Sequence, residues 1–184
     1  TLERMVGYDA FRARQIDARK NGKYLGLGVS VFNEVTGVGT RALQFQDLPI
    51  TTHDTSTVRV DPTGTVTVTT SLVSAGQGHA TTLAQVAADA LGVPVDKVVV
   101  RSGSTSNAQG LGTWASRGAV IGAGSIGRAA EVLKGKIKQI AGHMLEVSAE
   151  DIVLENDSVH VNGVPTKGMS MAEVAVAIYF SEAT

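Results

Sequence analysis

Alternating apolar and polar positions predict two β-hairpins in this chain. Valine alternates with threonine or arginine over 57–61 and 65–69, and a proline, a threonine and a glycine stand between the two runs. Alternation of period two buries one face of a strand and leaves the other polar, and proline and glycine favour a turn. Shorter runs at 152–155 and 158–161 flank an Asn-Asp pair and predict the second hairpin.

Helical spacing accounts for most of the remaining apolar residues. Four segments have apolar positions at the intervals typical of one helix face: 2–20, 81–91, 118–145 (as one or two helices) and 171–178. The last segment has a defined beginning, because Ser170 is a candidate N-cap and Glu173 occupies the capping-box position.

Strand and helix patterns interleave along the chain, which predicts an α+β fold with a mixed β-sheet and hairpins packed against three to four helices. Two further strands are predicted, one in the glycine-rich segment 24–32 and one in the apolar segment 98–100. A length of 184 residues with 43% apolar residues is enough to form a hydrophobic core. We therefore predict one domain over 1–184, with a small hairpin-plus-helix extension at 148–184.

The composition excludes several classes of protein and site. A formal net charge of −1, without a basic cluster, gives no electrostatic footprint for nucleic acid. The absence of cysteine excludes disulfides and thiolate ligands for zinc or iron–sulfur clusters, and the four histidines lack metal-site spacing. No apolar run reaches the roughly 20 residues of a membrane span. We expect a cytoplasmic protein without a metal held by its own side chains.

Two polar, glycine-rich loops each follow a predicted strand and lead into a predicted helix. The first is Gly76-Gln77-Gly78-His79, and the second runs from Ser102 to Arg117. Unpaired N–H groups at a helix N-terminus favour an anionic ligand. The two loops together predict a phosphate-bearing cofactor held between them.

The same loops resemble the motifs of a known family. Gly-Gln-Gly-His running into Thr-x-x-Gln occupies 76–85, Leu-Gly-Val-Pro occupies 91–94, and Gly-Thr-Trp-Ala-Ser-Arg occupies 112–117. In this order and spacing they resemble the molybdopterin-binding large subunit of the xanthine dehydrogenase, aldehyde oxidase and carbon monoxide dehydrogenase family, especially its bacterial members. The segment 22–28 is similar to the family as well, so the resemblance covers most of the chain.

The resemblance implies a molybdopterin cofactor, in the cytosine dinucleotide form of bacterial members, with molybdenum held by the pterin dithiolene. It implies cofactor contacts from ten residues: Gly76, Gln77, Gly78, His79, Thr82, Thr113, Trp114, Ala115, Ser116 and Arg117. Three of them have a structural alternative. Gln77 could bond only the backbone of its own turn, Trp114 could be a core residue, and Arg117 could pair with a carboxylate instead of a phosphate.

The chain also departs from the family pattern. Large subunits of the family are several times longer, and their catalytic glutamate lies in a C-terminal Gly-Glu loop that has no counterpart here. No residue of this chain is therefore predicted to be catalytic, and we expect an interior fragment that is inactive alone. The implied partners are the rest of the large subunit, an FAD-binding medium subunit and a 2Fe-2S small subunit, in an oligomeric complex. Such enzymes hydroxylate heteroaromatic or aldehyde carbons or oxidise carbon monoxide.

Two alternatives remain open. Gly122, Gly124 and Gly127 form a G-x-G-x-x-G pattern, which is typical of a dinucleotide-binding Rossmann loop in NAD enzymes. The residues before it do not form an uninterrupted strand, and the expected second strand ending in an acidic residue is missing. A small-residue helix face explains these glycines better. The other alternative is a non-catalytic α+β fragment that serves in binding or assembly.

Overall fold

The computed structural model describes residues 2–41, 52–106 and 108–180, which belong to two compact units, Thr1–Glu34 and Val35–Thr184. The first unit contains α1 (Leu2–Val6) and α2 (Tyr8–Lys20). Gly7 separates them with a left-handed φ of 60°, so the predicted helix over 2–20 is two helices. The predicted domain bounds, 1–184 with an extension at 148–184, stay a prediction.

The strand predicted at 24–32 is wrong. All of these residues are exposed, and no strand ladder among the described residues includes them. A strand is defined by its hydrogen-bonded partner, and the sequence pattern alone does not supply one.

The first predicted hairpin is confirmed in the second unit. β1 (Ser56–Val60) pairs antiparallel with β2 (Val66–Thr70), and alternate residues of β2 are buried. In the turn, the Asp61 carboxylate accepts hydrogen bonds from the hydroxyl (2.5 Å) and the N–H (2.8 Å) of Thr63. These two bonds hold the pKa of Asp61 below its ordinary value.

A helical crossover connects β2 to the third strand. α3 (His79–Leu91) follows β2 and leads through a 3₁₀ turn to β3 (Val98–Arg101), which pairs parallel with β2. The sheet order is β1-β2-β3. Because the β2–β3 pair is parallel, both strands end at the same edge of the sheet.

The long helix α4 (Ala123–Leu145) packs against α3 and β1 and follows one π-helical turn at Gly118–Gly122. A Cβ atom at Gly122 would lie 2.2 Å from Cδ1 of Leu72, so only glycine permits this approach. The residues of the G-x-G-x-x-G pattern therefore lie within helical turns. This is the predicted small-residue helix face and not the strand-to-helix loop of a Rossmann fold.

The C-terminal part of the second unit is an antiparallel meander followed by a helix. β4 (Ile152–Glu155) and β5 (Ser158–Val161) form the second predicted hairpin, and β6 (Val164–Ser170) pairs with β5. β6 was not predicted, because most of its residues are exposed and its sequence does not alternate.

α5 (Met171–Phe180) begins with the predicted capping box. The Glu173 carboxylate accepts hydrogen bonds from the N–H (2.7 Å) and the hydroxyl (2.8 Å) of Ser170, and the N–H of Glu173 donates to the Ser170 hydroxyl oxygen (3.2 Å). These bonds, the backbone one first, hold the pKa of Glu173 below its ordinary value.

The helices and the two sheets of the second unit share one hydrophobic core. Its largest fully buried apolar side chains come from β2, α3, α4, β4, β5, α5 and the segment after β2: Val66, Val68, Leu72, Leu83, Leu91, Ile126, Ile137, Ile152, Val159, Met171 and Val174. The predicted α+β fold is confirmed. Among the described residues, no helix combines the length and the apolar character that a membrane crossing requires.

Candidate cofactor-binding site

The two glycine-rich loops lie beyond the carboxyl ends of β2 and β3. The loop after β2 runs from Ser71 to the first residue of α3, and the loop after β3 runs to the π-helical turn at Gly118. Since parallel strands end at one sheet edge, the fold brings these loops together, and this edge is where open α/β sheets bind ligands.

A cleft of about 630 Å³ lies between the loops. Its walls include eight of the ten residues predicted to contact the cofactor: Gln77, His79, Thr82, Thr113, Trp114, Ala115, Ser116 and Arg117. Gly76 and Gly78 belong to the same first loop but do not line the cleft. Segments about 35 residues apart in sequence thus face one another across a single opening.

The first loop turns twice through left-handed glycines. Gly76 has a φ of 107° and Gly78, the residue before α3, has a φ of 79°. The N–H groups of Thr81 and Thr82 donate to the Gly78 carbonyl. No described side chain caps the start of α3, so the N–H groups of His79 and Ala80 remain available to an anionic group. The Gln77 side-chain oxygen accepts a hydrogen bond from the N–H of Ala75 (2.5 Å), which shapes the loop from within and leaves the side-chain NH₂ for another partner.

His79 opens α3 and is buried, with 7% of its surface exposed. Its ring lies against Gly118, where a Cβ atom would be 2.6 Å from Nε2 of the histidine. Glycine at this position therefore lets the first loop and the π-helical turn approach each other. Nδ1 of His79 is buried without a hydrogen-bond partner among the described residues.

The second loop has two consecutive residues in the left-handed region. Ala115 has a φ of 43° and Ser116 a φ of 51°, a conformation that costs a non-glycine residue free energy and that is enriched at functional sites. Both are exposed at the mouth of the cleft. Just before them, Oγ1 of Thr113 and Nε1 of Trp114 are buried and have no partner among the described residues.

Arg117 is the last residue of the second loop, and its side chain lies inside the protein. Its side chain is fully buried, and its guanidinium pairs with the equally buried carboxylate of Asp54. The remaining donors reach three carbonyl oxygens: those of Val38 (3.3 Å), Thr52 (2.7 Å) and Gly112 (2.6 Å). The guanidinium carbon also lies 5.5 Å from the centre of the Trp114 ring. This is the carboxylate pairing weighed in the sequence, and it leaves the arginine no exposed face for a phosphate.

Asp54 also accepts hydrogen bonds from groups other than Arg117. Its second carboxylate oxygen accepts hydrogen bonds from the N–H of Gly112 (2.8 Å) and from the Ser71 hydroxyl (2.7 Å). One buried carboxylate thus joins both ends of the 112–117 loop to the residue that follows β2. Sequence reasoning missed Asp54, because a buried arginine requires a carboxylate partner but nothing in the sequence distinguishes one among 17 acidic residues.

The site lacks the features of a protein-ligated metal centre. Within the described ranges, no three histidine or acidic side chains lie close enough together to hold a metal ion. The cleft instead offers hydroxyl groups, the Gln77 amide, the Trp114 indole N–H and one histidine, on walls that also include Leu83 and Val86. Such a set can bind and orient a polar organic ligand with anionic groups.

Comparison with known proteins then decides the family. The molybdopterin cofactor-binding domain family matches the chain over residues 1–184. The chain belongs to this family. The resemblance found in its two glycine-rich loops is thereby confirmed.

Relatives of this molybdopterin cofactor-binding chain are large subunits of oxidoreductases. The nicotine 6-hydroxylase large subunit of Paenarthrobacter nicotinovorans is 51% identical over 180 residues, which are 97% of this chain and 22% of that protein. The carbon monoxide dehydrogenase large chain of Afipia carboxidovorans is 38% identical over 183 residues, which are 96% of this chain and 22% of that protein.

Solved structures contain the same fold. Quinoline 2-oxidoreductase from Pseudomonas putida 86 superposes with a TM-score of 0.77 and 66% identity, over 98% of this chain and 23% of that one. Carbon monoxide dehydrogenase from Oligotropha carboxidovorans gives a TM-score of 0.72 at 36% identity, over the same shares of the two chains. The chain therefore spans somewhat less than a quarter of the length of the proteins that it matches.

Proposed function

We propose that this chain forms one wall of a molybdopterin site in a molybdenum hydroxylase large subunit, and that the cofactor is the cytosine dinucleotide form. The observation that carries the proposal is a set of three buried polar atoms without a partner in the part of the chain that the structure describes: Nδ1 of His79, Oγ1 of Thr113 and Nε1 of Trp114. All three residues line the same cleft. Because a buried polar atom without a partner costs free energy, a ligand that supplies those partners is the simplest reason to keep them.

The residues of the cleft fit the chemistry of such a ligand. The free N–H groups at the start of α3 suit a phosphate oxygen, and Gly76 and Gly78 let the backbone approach it. The NH₂ of Gln77 and the hydroxyl of Thr113 suit the polar edge of a pterin or a sugar. Thr82, on the first turn of α3, donates its hydroxyl to the carbonyl of Gly78 (3.2 Å) and so supports the first loop from behind.

The second loop contributes its shape and its backbone. Ala115 and Ser116, in their left-handed conformation, present small side chains at the mouth of the cleft, where a bulky residue would obstruct a ligand. The indole of Trp114 offers one N–H donor and a flat surface. Arg117 belongs to the site as the support of this loop, not as a direct phosphate ligand.

The cofactor, when bound, supplies the redox chemistry, and the protein supplies binding, orientation and electrostatics. None of the cleft residues is proposed as a catalytic acid or base. We propose that the rest of the large subunit completes the substrate pocket, that FAD and 2Fe-2S groups lie on partner chains, and that the oligomeric complex is cytoplasmic. Nitrogen-containing heteroaromatic rings are the favoured substrate class, because the relatives named for nicotine and quinoline are 51% and 66% identical to this chain.

The test is to purify the complex that contains this chain from its native source and to measure molybdenum by elemental analysis and nucleotide after acid hydrolysis. Co-purifying chains are identified by mass. About one molybdenum and one cytidine monophosphate per copy of the chain supports the proposal. A complex with neither molybdenum nor cytidine monophosphate refutes the proposal. Molybdenum accompanied by a guanosine nucleotide, or by no nucleotide, refutes only the assignment of the cytosine dinucleotide form.

A further inference from the structure

Asp54 is an acidic residue with a fully buried side chain behind the cleft, and the proposed function gives it no task. Its side chain is 0% exposed, as is that of Arg117. The carboxylate accepts from a guanidinium, from the N–H of Gly112 and from the Ser71 hydroxyl. The backbone of Asp54 also forms an isolated antiparallel bridge with Gly110. These contacts join Asp54 to the start of the loop after β2, to both ends of the 112–117 loop and to Gly110 just before it.

We infer that Asp54 is a positioning residue, which through Arg117 and Gly112 holds the 112–117 loop in the conformation that binds the cofactor. This inference rests on the proposed function of the cleft. The loop contains two left-handed non-glycine residues, Ala115 and Ser116, and such residues persist only where the surroundings over-determine them. Asp54 supplies that constraint, because it fixes the backbone at position 112 and the side chain at position 117 from one carboxylate.

The packing around Gly110 supports this role. A Cβ atom there would lie 2.3 Å from Oδ1 of Asp54 and 2.5 Å from Oγ of Ser71. The loop backbone therefore passes directly over the carboxylate, with no side chain between them. Residues that orient ligand-binding groups through hydrogen bonds commonly change affinity by about 10- to 100-fold when they are replaced.

A merely structural ion pair and a positioning one differ in how they respond to replacement by apolar residues. Replacing a buried pair with well-packed apolar side chains is often neutral for stability, whereas removing one partner is strongly destabilising. The double variant D54L/R117M should therefore be destabilised less than a variant that leaves one charge of the pair unpaired, although it also leaves the carbonyls of Thr52 and Gly112 without their donor. It should still lose the hydrogen bonds that fix the loop. The single variant Asp54→Asn should lose both stability and loop geometry.

The experiment uses the intact complex and compares wild type, D54L/R117M and Ser71→Ala, with Asp157→Asn as the matched control. Asp157 forms a partly buried ion pair with Lys97, away from the cleft, and asparagine tolerates its left-handed φ of 63°. Three quantities are measured: the unfolding temperature, the rate of molybdenum loss during incubation, and hydrogen exchange of the peptide that contains Gly112. Ser71→Ala removes one hydrogen bond to Asp54 and the hydroxyl's contacts with the N–H and the carbonyl of Thr55, and it leaves the ion pair intact. It therefore keeps the test decisive even when the double variant does not fold.

We expect D54L/R117M to lose molybdenum about 10- to 100-fold faster than wild type. Ser71→Ala should lose it about 3- to 10-fold faster, and both should exchange the Gly112 amide faster. Asp157→Asn should match wild type in molybdenum loss and exchange. Wild-type rates of both processes in Ser71→Ala and in any folded D54L/R117M would overturn the inference. A wild-type complex without molybdenum refutes the proposed function. Hydrogen exchange of the Gly112 amide then still tests whether Asp54 holds the 112–117 loop.

Discussion

At the scale of single residues, the cleft contains buried polar atoms that have no hydrogen-bond partner among the described residues. His79, Thr113 and Trp114 each have one such buried atom. For a residue selected only for stability, this arrangement is unfavourable, since desolvation of an unpaired group costs about 1–3 kcal/mol. Two further such atoms lie outside the cleft, Oδ1 of Asp157 and Nδ1 of His160, so the three in the cleft are distinguished by lining one opening together. Their role can be tested by removing one atom at a time.

Thr113→Val removes one unpaired hydroxyl and preserves the shape of the side chain. We expect the free energy of unfolding of the cofactor-free protein to stay the same or to rise by up to about 2 kcal/mol, because an unsatisfied buried atom is lost. Cofactor retention should fall about 3- to 10-fold, because one ligand hydrogen bond is lost. Denaturant unfolding and the molybdenum content after dialysis check the two halves. Lower stability together with unchanged molybdenum would show that Thr113 serves the fold.

Gly118→Ala tests the contact between the π-helical turn and His79. The added Cβ would lie 2.6 Å from Nε2, so the ring or the turn must move, and we expect a loss of about 1–3 kcal/mol of stability together with weaker cofactor retention. Gly124→Ala is the control. Gly124 lies in α4 with nothing within 4 Å of its added Cβ, so alanine should raise stability by up to about 1 kcal/mol. Thermal unfolding of both variants checks the prediction, and equal effects would contradict it.

At the scale of elements, local sequence signals located most of the structure. Alternation located β1, β2, β4 and β5, and helical spacing with the capping box located α5 to within two residues. The local pattern gave the wrong prediction for two segments. The segment 24–32 has a strand-like sequence but no ladder among the described residues, and β6 forms a ladder without a strand-like sequence. In both cases the outcome depends on pairing with another segment, which local pattern does not contain.

The capping box of α5 gives this element a pH dependence. Glu173 has a folded-state pKa below its ordinary value of 4.5, so its contribution to stability is present above that pH and is lost as the pH falls through the lower folded-state pKa. Glu173→Gln should remove this component, and Ser170→Ala should reduce it because the hydrogen bond from its hydroxyl is gone. Unfolding transitions measured from neutral pH down to pH about 3 check the prediction. Parallel pH profiles for wild type and Glu173→Gln would contradict it.

At the scale of the whole second unit, the strand topology positions the two loops of the site, and close contacts at glycines let neighbouring elements pack. The parallel β2–β3 pair brings the two loops to one edge. The sequence predicted that the two loops act together, but it did not predict this parallel pairing. What the sequence could not provide was the buried network behind the loops. Asp54 and Arg117 are 63 positions apart, and their pairing depends on the packed fold rather than on any local pattern.

Gly92 joins the three-stranded sheet with its helices to the C-terminal meander. It ends α3 with a left-handed φ of 66°, and a Cβ there would lie 2.3 Å from the carbonyl oxygen of Leu154. Gly92→Ala should therefore lower the free energy of unfolding by more than about 3 kcal/mol, from backbone strain and displacement of β4. Gly163→Ala is the matched control, because its φ of 75° is similar but nothing lies within 4 Å. It should cost only about 1–2 kcal/mol, and denaturant unfolding of both variants compares them. Equal losses would contradict a role for this junction.

Trp114 gives the second loop an optical property. It is the only tryptophan of the chain, its indole nitrogen is buried at the cleft, and its ring lies beside the Arg117 guanidinium. Indole emission responds to nearby charge and to the polarity of its surroundings, and a pterin that absorbs in the near ultraviolet can quench it by energy transfer. The fluorescence of this one side chain should therefore report directly whether the cleft is filled.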